Sequence, residues 1–174
     1  MESKSSLSAG SIVGLTLIVI GLWWGVQAMG NNQKLQTGIH YLQTGQTQVD
    51  YHQLARQDAQ DQGISADLFE RQINQESGFN PSVVSPMGAI GIAQIMPSTA
   101  SGWHVDPHDP VASLSAAAKA MAWYQGHYGS FAKALACYNA GTAALESAMA
   151  RYGANWRIGL PLETRNYITA IMGV

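Results

Sequence analysis

Among the side chains able to do acid–base chemistry, Glu76 stands apart. It lies in the stretch Gln75-Glu76-Ser77-Gly78-Phe79-Asn80-Pro81 and closes a predicted amphipathic helix in which Leu68, Phe69, Gln72 and Ile73 recur at helical spacing. Farther along come a Gly91-Ile92-Ala93-Gln94 turn and a Tyr138-Asn139-Ala140-Gly141 break. A carboxyl group held between an apolar helix face and glycine-rich turns loses hydration in its charged form. That is how an enzyme keeps a general acid protonated near neutral pH. The other carboxylates of this region are Asp50, Asp58, Asp61, Asp67, Glu70, Asp106, Asp109, Glu146 and Glu163. Helix caps and solvated faces account for most of them. Glu70 falls on the opposite side of the helix from Glu76 and is expected to be exposed. Glu163 is expected to pair with Arg165 for stability rather than chemistry.

Helices must position these groups. Asp50 can cap a helix through Gln62 that Gly63 ends, and Ser65 caps the helix that runs to Glu76. Gly78 and Asn80-Pro81 stop it, and the stretch from Pro81 to Gly91 is turn-rich. A short helix is expected over 92–101. Asp109-Pro110 is a strong start signal for the next, where Leu114, Ala117, Ala118, Met121, Tyr124 and Tyr128 form one apolar stripe. Further helices are predicted over 131–138, 142–152 and 164–172. No alternating strand pattern occurs, so the expected class is mainly α. Gly88, Gly91 and Gly141 suit turns or close approach of backbone that a side chain would block.

Four segments occur in a fixed order: Glu76-Ser77-Gly78-Phe79-Asn80-Pro81; Ser85 to Ala100 (Ser-Pro-Met-Gly-Ala-Ile-Gly-Ile-Ala-Gln-Ile-Met-Pro-Ser-Thr-Ala); Tyr138-Asn139-Ala140-Gly141; and Glu163-Thr164-Arg165-Asn166-Tyr167-Ile168. Together they resemble the soluble lytic transglycosylase domain, the goose-type lysozyme-like glycoside hydrolase family 23. The resemblance covers most of residues 50–172. It implies a helical lysozyme-like domain with a glycan groove between two lobes. It also implies cleavage of the β-1,4 bond between N-acetylmuramic acid and N-acetylglucosamine in peptidoglycan. Glu76 takes the family's acid position: it protonates the leaving glycosidic oxygen, then serves as base on the muramoyl C6 hydroxyl, whose oxygen closes onto C1 to give a 1,6-anhydromuramoyl end. By the same carry-over Ser85 and Gln94 contact substrate or support the acid, Met96 and Tyr138 line the groove, Asn139 shapes it, and Tyr167 faces the acid.

One-acid chemistry is physically coherent. Ordinary glycosidases hold two carboxylates about 5–10 Å apart. Family members use the substrate's own N-acetyl group at C1, and attack by a hydroxyl held in place has a very large effective molarity. No cofactor or metal is required. Departures from the family pattern are Ala93 in place of a usual methionine, which thins one groove wall, Cys137 in place of alanine, and Ala143 in place of a second glycine. The helix from Pro110 also lacks an asparagine and a glycine often found there.

The remaining candidates are ordinary. Of the five histidines only His104 and His108 stand four apart, and Asp106-Pro107 between them argues against a helix that would align them; with one cysteine in the chain, no metal site is expected. His104-Val105-Asp106-Pro107-His108 reads as a surface loop. Cys137, following Leu135-Ala136, reads as a small buried hydrophobe. Trp103, Trp156 and Tyr124 suit either sugar stacking or core packing.

The chain has 174 residues and a net charge of −2, with nine Lys and Arg residues scattered singly. That distribution lacks the basic footprint of a nucleic-acid binder. Residues 1–10 form a short tail. Residues 11–29 are apolar apart from Ser11, Thr16 and Gln27, and Trp23 and Trp24 sit near one end. Eighteen to twenty such residues make roughly 27–30 Å of helix, enough to cross a hydrocarbon core. The long apolar run and weak basic flank point to one transmembrane anchor, although Val26-Gln27-Ala28 also resembles a signal-peptide cleavage site, which would make the protein secreted. Residues 30–47 are a polar, nearly uncharged linker and 48–174 the catalytic domain. The expectation is a membrane-tethered lytic transglycosylase facing the periplasm or cell-wall space, its partner the peptidoglycan strand. Two alternatives stay open: a hydrolytic goose-type muramidase, and a non-catalytic peptidoglycan-binding component of an envelope-spanning or virion assembly.

Overall fold

The structure, a computed structural model, describes residues 49–173. The expected tail, anchor and linker therefore lie outside the described residues. Among those described, no helix is long and apolar enough to cross a membrane.

The described chain is mainly helical, and its boundaries follow local chemistry. Helix α1 (Tyr51–Asp61) is capped by Asp50, whose carboxylate accepts from the Gln53 amide at 3.1 Å. Helix α2 (Ala66–Ser77) is capped by Ser65, which accepts from the Leu68 amide, and stops at Gly78 in the left-handed region (φ 60). Helix α3 is Pro97–Trp103. Helix α4 (Pro110–Tyr128) has Pro110 in its first turn, and Asp109 accepts from the Val111 and Ala112 amides. Helices α5 (Phe131–Ala140) and α6 (Thr142–Tyr152) abut at Gly141. A 3₁₀ segment over Gly153–Gly159 leads to α7 (Leu162–Met172).

Two expectations shift. The short helix predicted over 92–101 begins only at Pro97, because Gln94 takes a left-handed backbone (φ 49) that no right-handed helix can contain. The final helix begins at Leu162, and the 3₁₀ turn before it carried no sequence signal.

Helix α5 is the hub. Phe131, Ala132, Ala134, Leu135, Ala136 and Cys137 are buried, and the helix packs against α4, α6 and α7. Its small residues let neighbours approach closely. Helix α1 packs on α2 and α4, and α7 packs on α2 as well as α5. The predicted stripe of α4 is buried at Leu114, Ala117, Ala118 and Met121. Asp58 is 2 % exposed, so it does not fit the expectation of solvated carboxylates. Glu70 is also corrected: it is half-buried, accepts from Arg56 at 2.7 Å, and lies 2.9 Å from His52 Nδ1. These partners hold its carboxyl below the usual range, His52 most strongly. Glu163 and Arg165 form no ion pair, because positions two apart on a helix point in different directions.

Candidate active site

Three helices converge on Glu76. It sits in the last turn of α2, Tyr138 and Asn139 lie near the C-terminal end of α5, and Tyr167 projects from α7. Glu76 is half-buried and lines a cavity of about 630 Å³ together with Gln75, Asn139, Leu162, Glu163, Asn166, Tyr167 and Ala170. Burial pushes its carboxyl up to about 7, while the hydroxyl of Tyr167, which donates to Glu76 Oε1, pulls it the other way. Burial outweighs the hydrogen bond. The result is a carboxyl group that exchanges a proton near neutral pH.

A loop between α2 and α3 forms the next wall. It holds no strand, only isolated bridges of Val84 with Ile90 and of Ile90 with Ile95. Ser77 Oγ, one residue after the acid, donates to the Ile92 carbonyl at 2.6 Å. Tyr138 Oη donates to the Ala93 carbonyl at 2.8 Å. Gln94 Nε2 donates to the Gly91 carbonyl at 2.8 Å and the Val83 carbonyl at 3.3 Å. Gly91 is indispensable: its φ is +74, and a Cβ there would stand 2.3 Å from the Pro107 carbonyl oxygen. The loop is thus tied to the acid's own helix, to α5 and to the segment before α4.

Beyond Asn139 a second cavity of about 370 Å³ runs past Gln94, Met96, Thr99, Trp103, Tyr124 and Tyr138. A third, of about 660 Å³, shares Trp103, Tyr124 and Thr142 with it and continues along Ala116, Lys119 and Trp123. The second and third cavities thus adjoin along three shared residues, and Asn139 stands between the first and the second.

Of the residues singled out in the sequence, Glu76, Asn139 and Tyr167 meet in the first cavity, and Gln94, Met96, Tyr138 and Asn139 in the second. Ser85 lines none of the three; its hydroxyl accepts from the Ala89 amide at 2.9 Å and closes a turn. Gln94 is half-buried and spends its amide on the loop's carbonyls. Ala93 is fully buried and lines none of the three. Trp103 and Tyr124 line cavities, whereas Trp156 packs against the core. Cys137 is buried with its thiol pushed up to about 11 by desolvation, as befits an inert packing residue.

Two residues were missed. Trp123 is 59 % exposed, stacks on His127 with ring centroids 5.0 Å apart, and lines the third cavity. Its neighbours in the apolar stripe masked it. Gln72 is fully buried one turn before Glu76, and the signal for it was a polar residue within an otherwise apolar helical stripe.

Residues 53–157 match the family described as Transglycosylase SLT domain. Among solved structures, the 70 kDa soluble lytic transglycosylase of Escherichia coli is similar, with a TM-score of 0.63 and 24 % sequence identity. The likeness takes in 70 % of this chain and 23 % of that one, so the two share a fold over a fraction of the larger protein's length.

Proposed function

We propose that this chain, which belongs to the transglycosylase SLT domain family, cleaves the β-1,4 bond between N-acetylmuramic acid and N-acetylglucosamine in peptidoglycan and leaves a 1,6-anhydromuramoyl end. The observation that carries the reading is Glu76: a carboxyl raised to about 7, on the wall of a cavity of about 630 Å³ that shares Asn139 with a second, aromatic-lined cavity. In its protonated form Glu76 gives its proton to the leaving glycosidic oxygen as the C1–O bond breaks. The carboxylate so formed takes the proton of the C6 hydroxyl as that oxygen bonds to C1. One proton leaves and one returns, so no water is consumed and the acid is regenerated.

A pKa near 7 suits a group that must act in both directions at one pH. The aromatic walls at Trp103, Tyr124 and Tyr138 suit the apolar faces of sugar rings. Mass spectrometry of the products from purified protein and intact peptidoglycan tests the reading. Anhydro ends are expected, and their absence from active protein would sink it. Glu76→Gln is expected to slow release at least about a hundredfold.

Glu163 lines the same cavity as Glu76, which supports a second reading, hydrolysis with Glu163 as the activating base for water. The two readings part on the products, which carry an added water only in hydrolysis, and on Glu163→Gln, which would stop hydrolysis but leave anhydro formation largely intact.

The proposal extends to location. Residues 11–29 anchor the protein in a membrane, and the linker 30–47 gives the domain a reach of roughly 20–25 Å in the periplasm or cell-wall space. A peptidoglycan cutter so tethered suits an envelope-spanning or virion assembly that needs a local opening. Cell fractionation with N-terminal sequencing of the mature protein tests this. Soluble protein lacking residues 1–28 would replace the anchor with a cleaved signal.

A further inference from the structure

Gln72 is an anomaly. It occupies the interior face of α2 one turn before Glu76, is 0 % exposed, and neither its Nε2 nor its Oε1 reaches a hydrogen-bond partner within ordinary distance and angle limits. Burying an amide without partners costs on the order of 1–3 kcal/mol, and a leucine would pack there without that cost. Its neighbour explains where the amide acts. The Tyr167 hydroxyl is raised well above its usual range, first by burial, then by the Glu76 charge and the hydrogen bond to Glu76, and the Gln72 side chain opposes these effects. Geometry brings the two groups together: Gln72 and Glu76 are four apart on α2 and share a face, and Tyr167 Oη, bonded to Glu76 Oε1, reaches that face from α7, which packs on α2.

A tyrosine hydroxyl has one hydrogen and can both donate and accept. If its oxygen accepts from Gln72, its hydrogen is left for Glu76. We propose that Gln72 is a positioning residue: its amide N–H donates to Tyr167 Oη, commits the tyrosine's hydrogen to Glu76 Oε1, and thereby confines the exchangeable proton of Glu76 to Oε2. Without Gln72 the hydroxyl can turn and accept the acid's proton instead, which points that proton away from the cavity. The inference rests on the reading of Glu76 as the general acid. The groups facing Glu76 from the packed elements are Tyr167 on α7 and Tyr138 on α5, with Glu163 on the shared cavity wall; none is a cation.

The test is the titration of Glu76 itself, followed by carbon-detected NMR of its carboxyl in the full chain, in the parent and in Gln72→Leu, Gln72→Met and Tyr167→Phe. Gln72 strengthens Tyr167 as a donor, and that donation favours the Glu76 anion. Gln72→Leu and Gln72→Met are therefore expected to raise the Glu76 midpoint by roughly half a pH unit, and Tyr167→Phe by more. In the Tyr167→Phe background Gln72→Leu is expected to add nothing, because the relay is already cut. Turnover of Gln72→Leu on peptidoglycan is expected to fall about tenfold with KM unchanged. An unmoved midpoint in both Gln72 variants, or additive shifts in the double variant, overturns the proposal. A melting change alone, with the titration unmoved, marks Gln72 as packing and also overturns it. The titration reads the relay whatever the reaction is. A shift as expected in a protein that yields no anhydro product would uphold the relay and reject the proposed function.

Discussion

At the scale of single residues, Glu76 and Glu70 show how one helix sets two carboxyl groups to opposite ends of their range. Glu70 meets His52 and Arg56 and is held low; Glu76 meets Tyr167 and a desolvating wall and is driven up to about 7. The raised value has a consequence for stability. Glu76 is neutral in the folded protein across the interval where it would already be charged in the unfolded chain, from its ordinary 4.5 to about 7. The folded state binds the extra proton there, so this contribution to stability is full below 4.5 and is lost as pH rises through 7. Allowing for partial solvent access, the contribution is on the order of 2 kcal/mol. Glu76→Gln removes the titration. The variant is expected to melt higher than the parent at pH 8, with the gap closing by pH 5, in scanning calorimetry at both pH values. An equal gap at both would show that Glu76 titrates normally. The same variant is expected to lose roughly a hundred- to ten-thousandfold in turnover while still binding peptidoglycan.

At the scale of elements, the loop between α2 and α3 carries as much of the site as the helices do. Gly91→Ala would force a Cβ against the Pro107 carbonyl at a backbone angle that alanine resists. A loss of about 2–4 kcal/mol is expected in urea unfolding. Tyr138→Phe would leave the buried Ala93 carbonyl without its donor, for an expected loss of about 1–3 kcal/mol by the same measurement. A Tyr138→Phe protein as stable as the parent would show that the loop does not depend on this bond.

The loop also marks where sequence reasoning ran short. Helix starts were legible at Asp50, Ser65 and Asp109-Pro110 because capping is local chemistry, decided by side chains within three residues. The loop's path was not, because it depends on partners far along the chain: Tyr138 for Ala93, Pro107 for Gly91. Ser85 and Gln94 show the same limit. Their residue types fit substrate contact as well as turn closure, and only the geometry shows Ser85 Oγ and Gln94 Nε2 bonded to backbone. Phe79, Gln94 and His104, the non-glycine residues with left-handed backbone among those described, lie beside the acid or on the cavity walls. Strain of that kind has no signature in residue spacing.

At the scale of the whole molecule, α5 fixes the distances that matter. It is buried along most of its length and packs against α4, α6 and α7, and α7 packs in turn on α2, so the tyrosine on α7 is held between the hub and the acid's helix. The order α2, loop, α5, α7 could be anticipated from the four motifs. Their meeting at one cavity could not, since it requires the packing of α7 on both α2 and α5.

The latched loop has a further consequence, in time rather than space. Although it lacks regular secondary structure, its Ile90, Gly91 and Ile95 amides are bonded to internal carbonyls, and Ile92, Ala93 and Ile95 are almost wholly buried. Segments built this way open with the protein or not at all. The amides of Ile90, Gly91 and Ile95 are expected to exchange with solvent deuterium as slowly as that of Leu135 in α5, and with the same sensitivity to denaturant. Exchange orders of magnitude faster would mean that this wall opens on its own, as a gate would. Slow exchange would mean a wall that is fixed whenever the protein is folded, so that a glycan strand must enter along the cleft's length rather than through a lifting cover.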